Sequence, residues 1–175
     1  SFSSDANRSG TYTGPTPFKD GTWNKQFMEV FYQYQNGQLT AQSYGEGTSL
    51  SFDGFQSYTA STIRQAFQII NGDLRLHETV TDSFTSNNDQ QGTYATPLRN
   101  PDHTWSRQHL VVTNEYFGTG RLKSTVGTGT CLSDDGHGVL SKSIIDQTYD
   151  QDIILRTGQA RLTQNRSQSF TAKDD

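Results

Sequence analysis

Turn dipeptides set at hairpin spacing constrain this chain most. Asn36-Gly37, Asp53-Gly54 and Asn71-Gly72 each join two residues that tolerate positive φ, the requirement of a tight hairpin. Between them apolar residues recur at every second position, the period of a strand. In 25–34, Phe27 and Phe31 lie on one face and Met28, Val30, Tyr32 and Tyr34 on the other. Leu39 to Phe52 is a glycine-interrupted second strand. In 62–70, Ile63, Phe67 and Ile69 share a face. A helix face would also fit Ile63, Ala66, Phe67 and Ile70, but the tight Asn71-Gly72 link favours a strand. After Asn100-Pro101-Asp102, residues 103–117 form the longest alternating run. A Gly/Thr-rich strand follows over 118–130, then the turn "SDDGHG". Residues 139–149 and 153–162 read as a closing pair of strands. About eight or nine strands at this spacing predict an all-β, antiparallel, up-and-down barrel, with a sandwich as the alternative. Closure would remove the edge strands that invite aggregation.

The 175 residues fit one domain. We divide them into a Ser/Gly/Thr/Pro-rich arm (1–20), a barrel domain (21–165) and a polar tail (166–175). Only 30% of residues are hydrophobic and the mean hydropathy is −0.77. Disorder is nevertheless disfavoured, because the net charge is only −4 and there are 10 Phe, 8 Tyr and 2 Trp. The acidity and the lack of a basic stripe argue against nucleic acid as a partner. No apolar run approaches the length of a membrane span, and the sequence shows no signal-peptide pattern, which is equally compatible with a leader removed before Ser1. Cys131 is the single cysteine, which excludes an internal disulfide and suits a cytoplasmic or a secreted protein alike. Two sequons, Asn7-Arg8-Ser9 and Asn165-Arg166-Ser167, are short matches of little weight. An oligomer is compatible with all of this.

The stretch "DLRLHETVTDSF" (73–84) poses the functional question. By strict alternation Leu74, Leu76, Val80 and Phe84 share a face with Glu78 and Asp82. The two carboxylates would stand about 13 Å apart, too far to share a proton, so each needs its own partner. The 103–117 strand offers them. Trp105, Arg107, His109, Val111, Thr113, Glu115 and Phe117 share one of its faces. If that face looks into a barrel, it makes an apolar pocket with convergent polar groups. Arg107 is then expected to anchor an anion, with His109 and Glu78 as acid–base groups. Asp82, Trp105, Glu115, Phe67 and Phe31 are expected to line the ligand. If Leu110, Val112 and Tyr116 look inward instead, the charged set is a solvated cross-strand cluster.

Gly21-Thr22-Trp23, just before the first strand, resembles the G-x-W signature of lipocalins and the wider calycin group. The resemblance implies a barrel whose Trp23 packs under an arginine from the last strand, with Arg156 or Arg161 in that role. It also implies a small hydrophobic ligand in the lumen, as in carriers, bilin lyases and natural-product cyclases. The T-D-Y motif of lipocalins has only Thr113-Asn114-Glu115-Tyr116 as a counterpart, and their disulfides and C-terminal helix have none.

Other chemistry finds little footing. His77-Glu78 lacks the second histidine of a zincin helix, because position 81 is Thr. His77, His103, His109 and His137 have no metal-ligand spacing, and no metal or cofactor is expected. "GTGRLKSTVGTGT" has no G-K-[ST] ending, and no serine sits in a G-x-S-x-G elbow. Cys131 has no base nearby in sequence and reads as structural. Three functions remain in view. One is a cofactor-free isomerase, cyclase or lyase acting on a small hydrophobic or aromatic molecule. Another is a carrier or chaperone of a pigment such as a bilin or carotenoid. The last is an extracellular interaction domain without a cavity.

Overall fold

The computed structural model describes residues 1–3 and 10–173. The first sequon, Asn7-Arg8-Ser9, lies outside them. The strands are β1 (Trp23–Phe31), β2 (Tyr34–Gln35), β3 (Gln38–Leu39), β4 (Tyr44–Phe52), β5 (Tyr58–Ile70), β6 (Asp73–Ser86), β7 (Trp105–Tyr116), β8 (Leu122–Asp134), β9 (Val139–Tyr149) and β10 (Leu162–Lys173). One helix, α1 (Gln151–Thr157), joins β9 to β10. Eight strands form one antiparallel sheet in the order β1-β4-β5-β6-β7-β8-β9-β10, and β2 and β3 pair alone. The chain is therefore an all-β meander. Among the described residues no ladder joins β10 to β1.

The turn chemistry is what the dipeptides require. Asn71 and Gly72 have φ of 52° and 84°, and Asn36 and Gly37 have φ of 50° and 77°. The second pair closes only the two-residue ribbon of β2 and β3, so the first long strand pairs with β4 across it. Asp53 instead caps its own turn, its Oδ1 accepting from the N–H groups of Phe55 and Ser57.

Two segments depart from the expectation. Ile153 to Leu162 is not a strand. Asp150 accepts from the Ile153 N–H as an N-cap, and Gly158 ends the helix at φ 73°. These are the standard start and stop signals of a helix. Ile154 is fully buried beneath it. The segment read as a polar tail is most of β10, paired with β9 as far as Lys173. Residues 94–98 lie in the β6–β7 connection.

A β-bulge corrects the face assignment of β6. Ala66 pairs with Glu78 and Phe67 with Leu76, so His77 is an extra residue. An extra residue inverts every side chain beyond it. Leu74 and Leu76 therefore lie on one face, and Glu78, Val80, Asp82 and Phe84 on the other. The register carries this second set across the sheet to Phe27, Glu46, Arg64, Arg107, His109, Ile144 and Phe170. We call it the ionic face. The opposite, glycine face carries Gly45, Gly47, Gly127 and Gly129 together with Leu110, Val112 and Ile145. A Cβ at Gly47 or Gly129 would strike the carbonyl oxygen of Phe27 or His109 on the next strand. Only glycine allows so sharp a bend toward a neighbour.

In mid-sheet the glycine face is the sheltered one. Gly45, Ser61, Thr125, Gly127 and Ile145 are buried there, whereas Tyr44, Glu46, Arg64, Val126 and Ile144 are exposed on the ionic face. Leu110 and Val112 thus lie on the sheltered side. The ionic face is covered at one end, where Leu50, Ala60 and Phe84 are buried against Trp23, Tyr58 and Tyr94. Tyr94 belongs to the β6–β7 connection, residues 87–104, which straps that end.

Candidate functional site

The register sets Asp82 of β6 directly opposite His109 of β7. The His109 Nδ1 lies 2.6 Å from Asp82 Oδ1. The other oxygen, Oδ2, receives Arg64 Nη2 of β5 at 2.8 Å. Asp82 is mostly buried, with 13% of its side chain exposed, so satisfying both oxygens removes a large desolvation cost. A carboxylate can only accept, which places the Nδ1 proton on the imidazole and leaves Nε2 as its open position. His109 is partly exposed and has the Tyr94 ring edge-on at 6.3 Å. The chemical unit is an imidazole fixed in tautomer and direction by a carboxylate, itself held by a guanidinium.

Two open clefts flank this unit. One of about 500 Å³ is lined by Phe27, Glu29, Glu46, Gly47, Thr48, Thr62, Ile63, Arg64 and Asp82. A second of about 480 Å³ lies between β4–β6 and the strap, lined by Ala60, Phe84, Gln90, Thr93 and Tyr94 among others. Thr48 and Thr62 line both, which joins them into one trough. Asp82 lines the first and Tyr94 the second, and His109 touches both residues. Glu29 stands directly opposite Glu46, and like charges so placed repel. Three carboxylates against one guanidinium make the first cleft negative, which disfavours an anionic ligand.

The expected site residues are scattered. Glu78 pairs with Thr113 rather than with His109, and forms no side-chain hydrogen bond among the described residues. Arg107 donates through Nη1 to the carbonyls of Tyr94 and Ala95, both at 3.2 Å, and lies over the Tyr94 ring. Those contacts pin the strap. Trp105 donates its indole N–H to Asp134 at 2.9 Å, and Arg99 of the strap reaches the same carboxylate at 3.1 Å. The Gly136 N–H, then Trp105 and Arg99, hold Asp134 below the usual carboxylate range. Glu115 bonds to Lys123 and Ser124 on the open surface, which also lowers its pKa. Phe31 stacks on Tyr44 at 4.9 Å, and Phe67 lies on the glycine face opposite Leu76. The cation near Trp23 is Lys25, at 5.9 Å, while Arg156 sits in the last turn of α1. Burial raises the pKa of Cys131, as befits an unreactive thiol.

Arg64 and Tyr94 were not legible as site residues. Arg64 sits in an apolar-looking run, and only the β5–β6 register reveals that it meets Asp82. Tyr94 reaches His109 through the course of a long connection that no periodicity encodes. No group of three or more His, Cys, Asp or Glu among the described residues is placed to hold a metal ion. Among the described residues no helix is long and apolar enough to cross a membrane. No protein-family model, curated protein or solved structure matches the chain.

Proposed function

We propose that this chain binds a small, mostly apolar molecule in the trough on its ionic face and moves a proton on it through His109. The reaction class is that of a cofactor-independent isomerase, cyclase or lyase. The observation that carries the reading is the 2.6 Å contact between Asp82 and His109 beside the cleft. A positioned acid–base group of this kind contributes about 10²–10⁴ in rate. Phe27 offers apolar contact, Thr48 and Thr62 offer hydroxyls, and the negative rim favours a neutral or cationic ligand. We also read the meander as the wall of a calycin-like barrel, open between β1 and β10. The strand order, the Gly21-Thr22-Trp23 entry to β1 and the glycine bends support that reading.

A carrier role is the second reading. The sheltered Ile63, Phe67, Leu110, Val112 and Ile145 on the glycine face favour it.

A screen of neutral and amine-bearing cyclic carbonyl compounds, read by amide chemical shifts and by product formation, separates the two. Binding is expected to perturb Thr48, Thr62, Asp82 and His109. Turnover should fall at least about a hundredfold in His109→Gln with the fold intact. Undiminished turnover in both His109→Gln and Asp82→Asn would remove the pair from the chemistry. Shifts confined to Phe67, Leu110 and Val112, with no product, would favour the carrier.

A further inference from the structure

The two ends of the sheet are treated unequally. The outer edge of β1 is already paired over its first half. Phe2 bridges to Lys25, the Ser3 N–H donates to the Asn24 carbonyl at 2.8 Å, and the Gln26 N–H donates to the Ser1 carbonyl at 2.7 Å. The arm thus occupies the backbone groups that β10 would need in order to close a barrel there. Among the described residues the outer edge of β10 has no such cover. Residues 162–171 are exposed throughout, and β9 is the only strand that pairs with β10 among the described residues.

Natural edge strands are usually blunted by proline, by bulges, by charge or by a covering segment. β10 has no proline, and its one register shift is at its start, between Leu162 and Gln164. Its central stretch, 164–171, carries a single charge, Arg166. It also displays Phe170, 52% exposed, beside an exposed Ile144 on β9. The accessible surface is 11049 Å². A compact monomer of this mass exposes about 8,500 Å². The excess is larger than the roughly 800 Å² each partner gives to a standard interface.

We infer that β10 pairs edge to edge with β10 of a second copy, making a two-fold dimer with one continuous sheet. The pairing is antiparallel and centred on Gln168. In that register Arg166 of one copy faces Phe170 of the other on the ionic side, a favourable cation–ring pair. Ser167 faces Ser169 and Asn165 faces Thr171 on the other side, which are small hydrogen-bonding pairs. Sliding the centre to Arg166 would set two guanidinium groups against each other, which disfavours that register.

The test is the mass of the full chain by light scattering and native mass spectrometry at micromolar concentration. The wild type is expected at twice the 19.5 kDa of one chain. Gln168→Lys sets two ammonium groups face to face and Gln168→Glu two carboxylates. Each variant alone should be monomeric, with dissociation at least about tenfold easier. An equimolar mixture of the two should recover the dimer. Circular dichroism checks that both variants retain the sheet; should either not fold, Gln168→Arg and Gln168→Asp, which set like charges at the same facing position, replace them. A wild type of single-chain mass, variants that remain dimeric, or a mixture that stays monomeric would each overturn the inference.

Discussion

At the scale of single residues, pairing separates charged groups that leave a reactive atom free from those wholly engaged by structural donors. Asp82 has both oxygens engaged, yet one partner is an imidazole with an open nitrogen. Asp134 also has both oxygens engaged, by the Gly136 N–H, the Trp105 indole and Arg99, and every partner there is a structural donor. The sign of its pH effect follows. Its folded pKa lies below the unfolded value of about 3.9, so its contribution is complete above that pH and is lost as pH falls through the folded value. Denaturant midpoints measured from about pH 6 down to pH 2 should show wild-type stability falling below about pH 4. Asp134→Asn should be less stable than wild type at pH 6, and its curve flatter below pH 4. Parallel curves would mean that Asp134 contributes no linkage. Arg107, expected as an anion anchor, illustrates the limit of reading residue types. A guanidinium among aromatic rings suits a ligand or a loop carbonyl equally, and here its Nη1 meets two carbonyls.

At the scale of elements, the strands were legible where turn chemistry enforced them. Asn71-Gly72 located the β5–β6 hairpin because few other residues accept both positive φ values. The bulge at His77 was not legible. Inserting one residue leaves the apolar residues of 73–84 on even positions, so strict alternation stayed plausible while the two ends of the strand faced opposite ways. The correction separates Leu74 and Leu76 from the carboxylates and so accounts for the mixed face. The helix α1 was hidden for a different reason. Seven residues are too few to display a helical period, although Asp150 and Gly158 mark its ends. Replacing Asp150 by Ala should therefore lower stability by about 1 kcal/mol, seen as a smaller urea midpoint at unchanged slope. An unshifted midpoint would mean that the packing of Ile154 alone holds the helix.

At the scale of the whole molecule, the meander order was legible from alternation and turns, and the closure was not. Closure depends on what meets the two end strands. Residues 1–3, read as part of a loose arm, meet β1, and nothing in the arm's composition signals that. The polar β10 shows little apolar alternation, so it read as a tail although its backbone completes the sheet. The site follows from the same long-range order. Asp82 and His109 lie far apart in sequence, and only the β6–β7 register sets them face to face. The central claim is therefore a statement about register read out at one imidazole. Long-range proton–nitrogen correlation spectra of ¹⁵N-labelled protein, with the His109 ring neutral, test it most directly. The account predicts the proton on Nδ1 in the wild type and a loss of that preference in Asp82→Asn; a wild-type ring protonated on Nε2, or one indifferent to the Asp82 substitution, would contradict it.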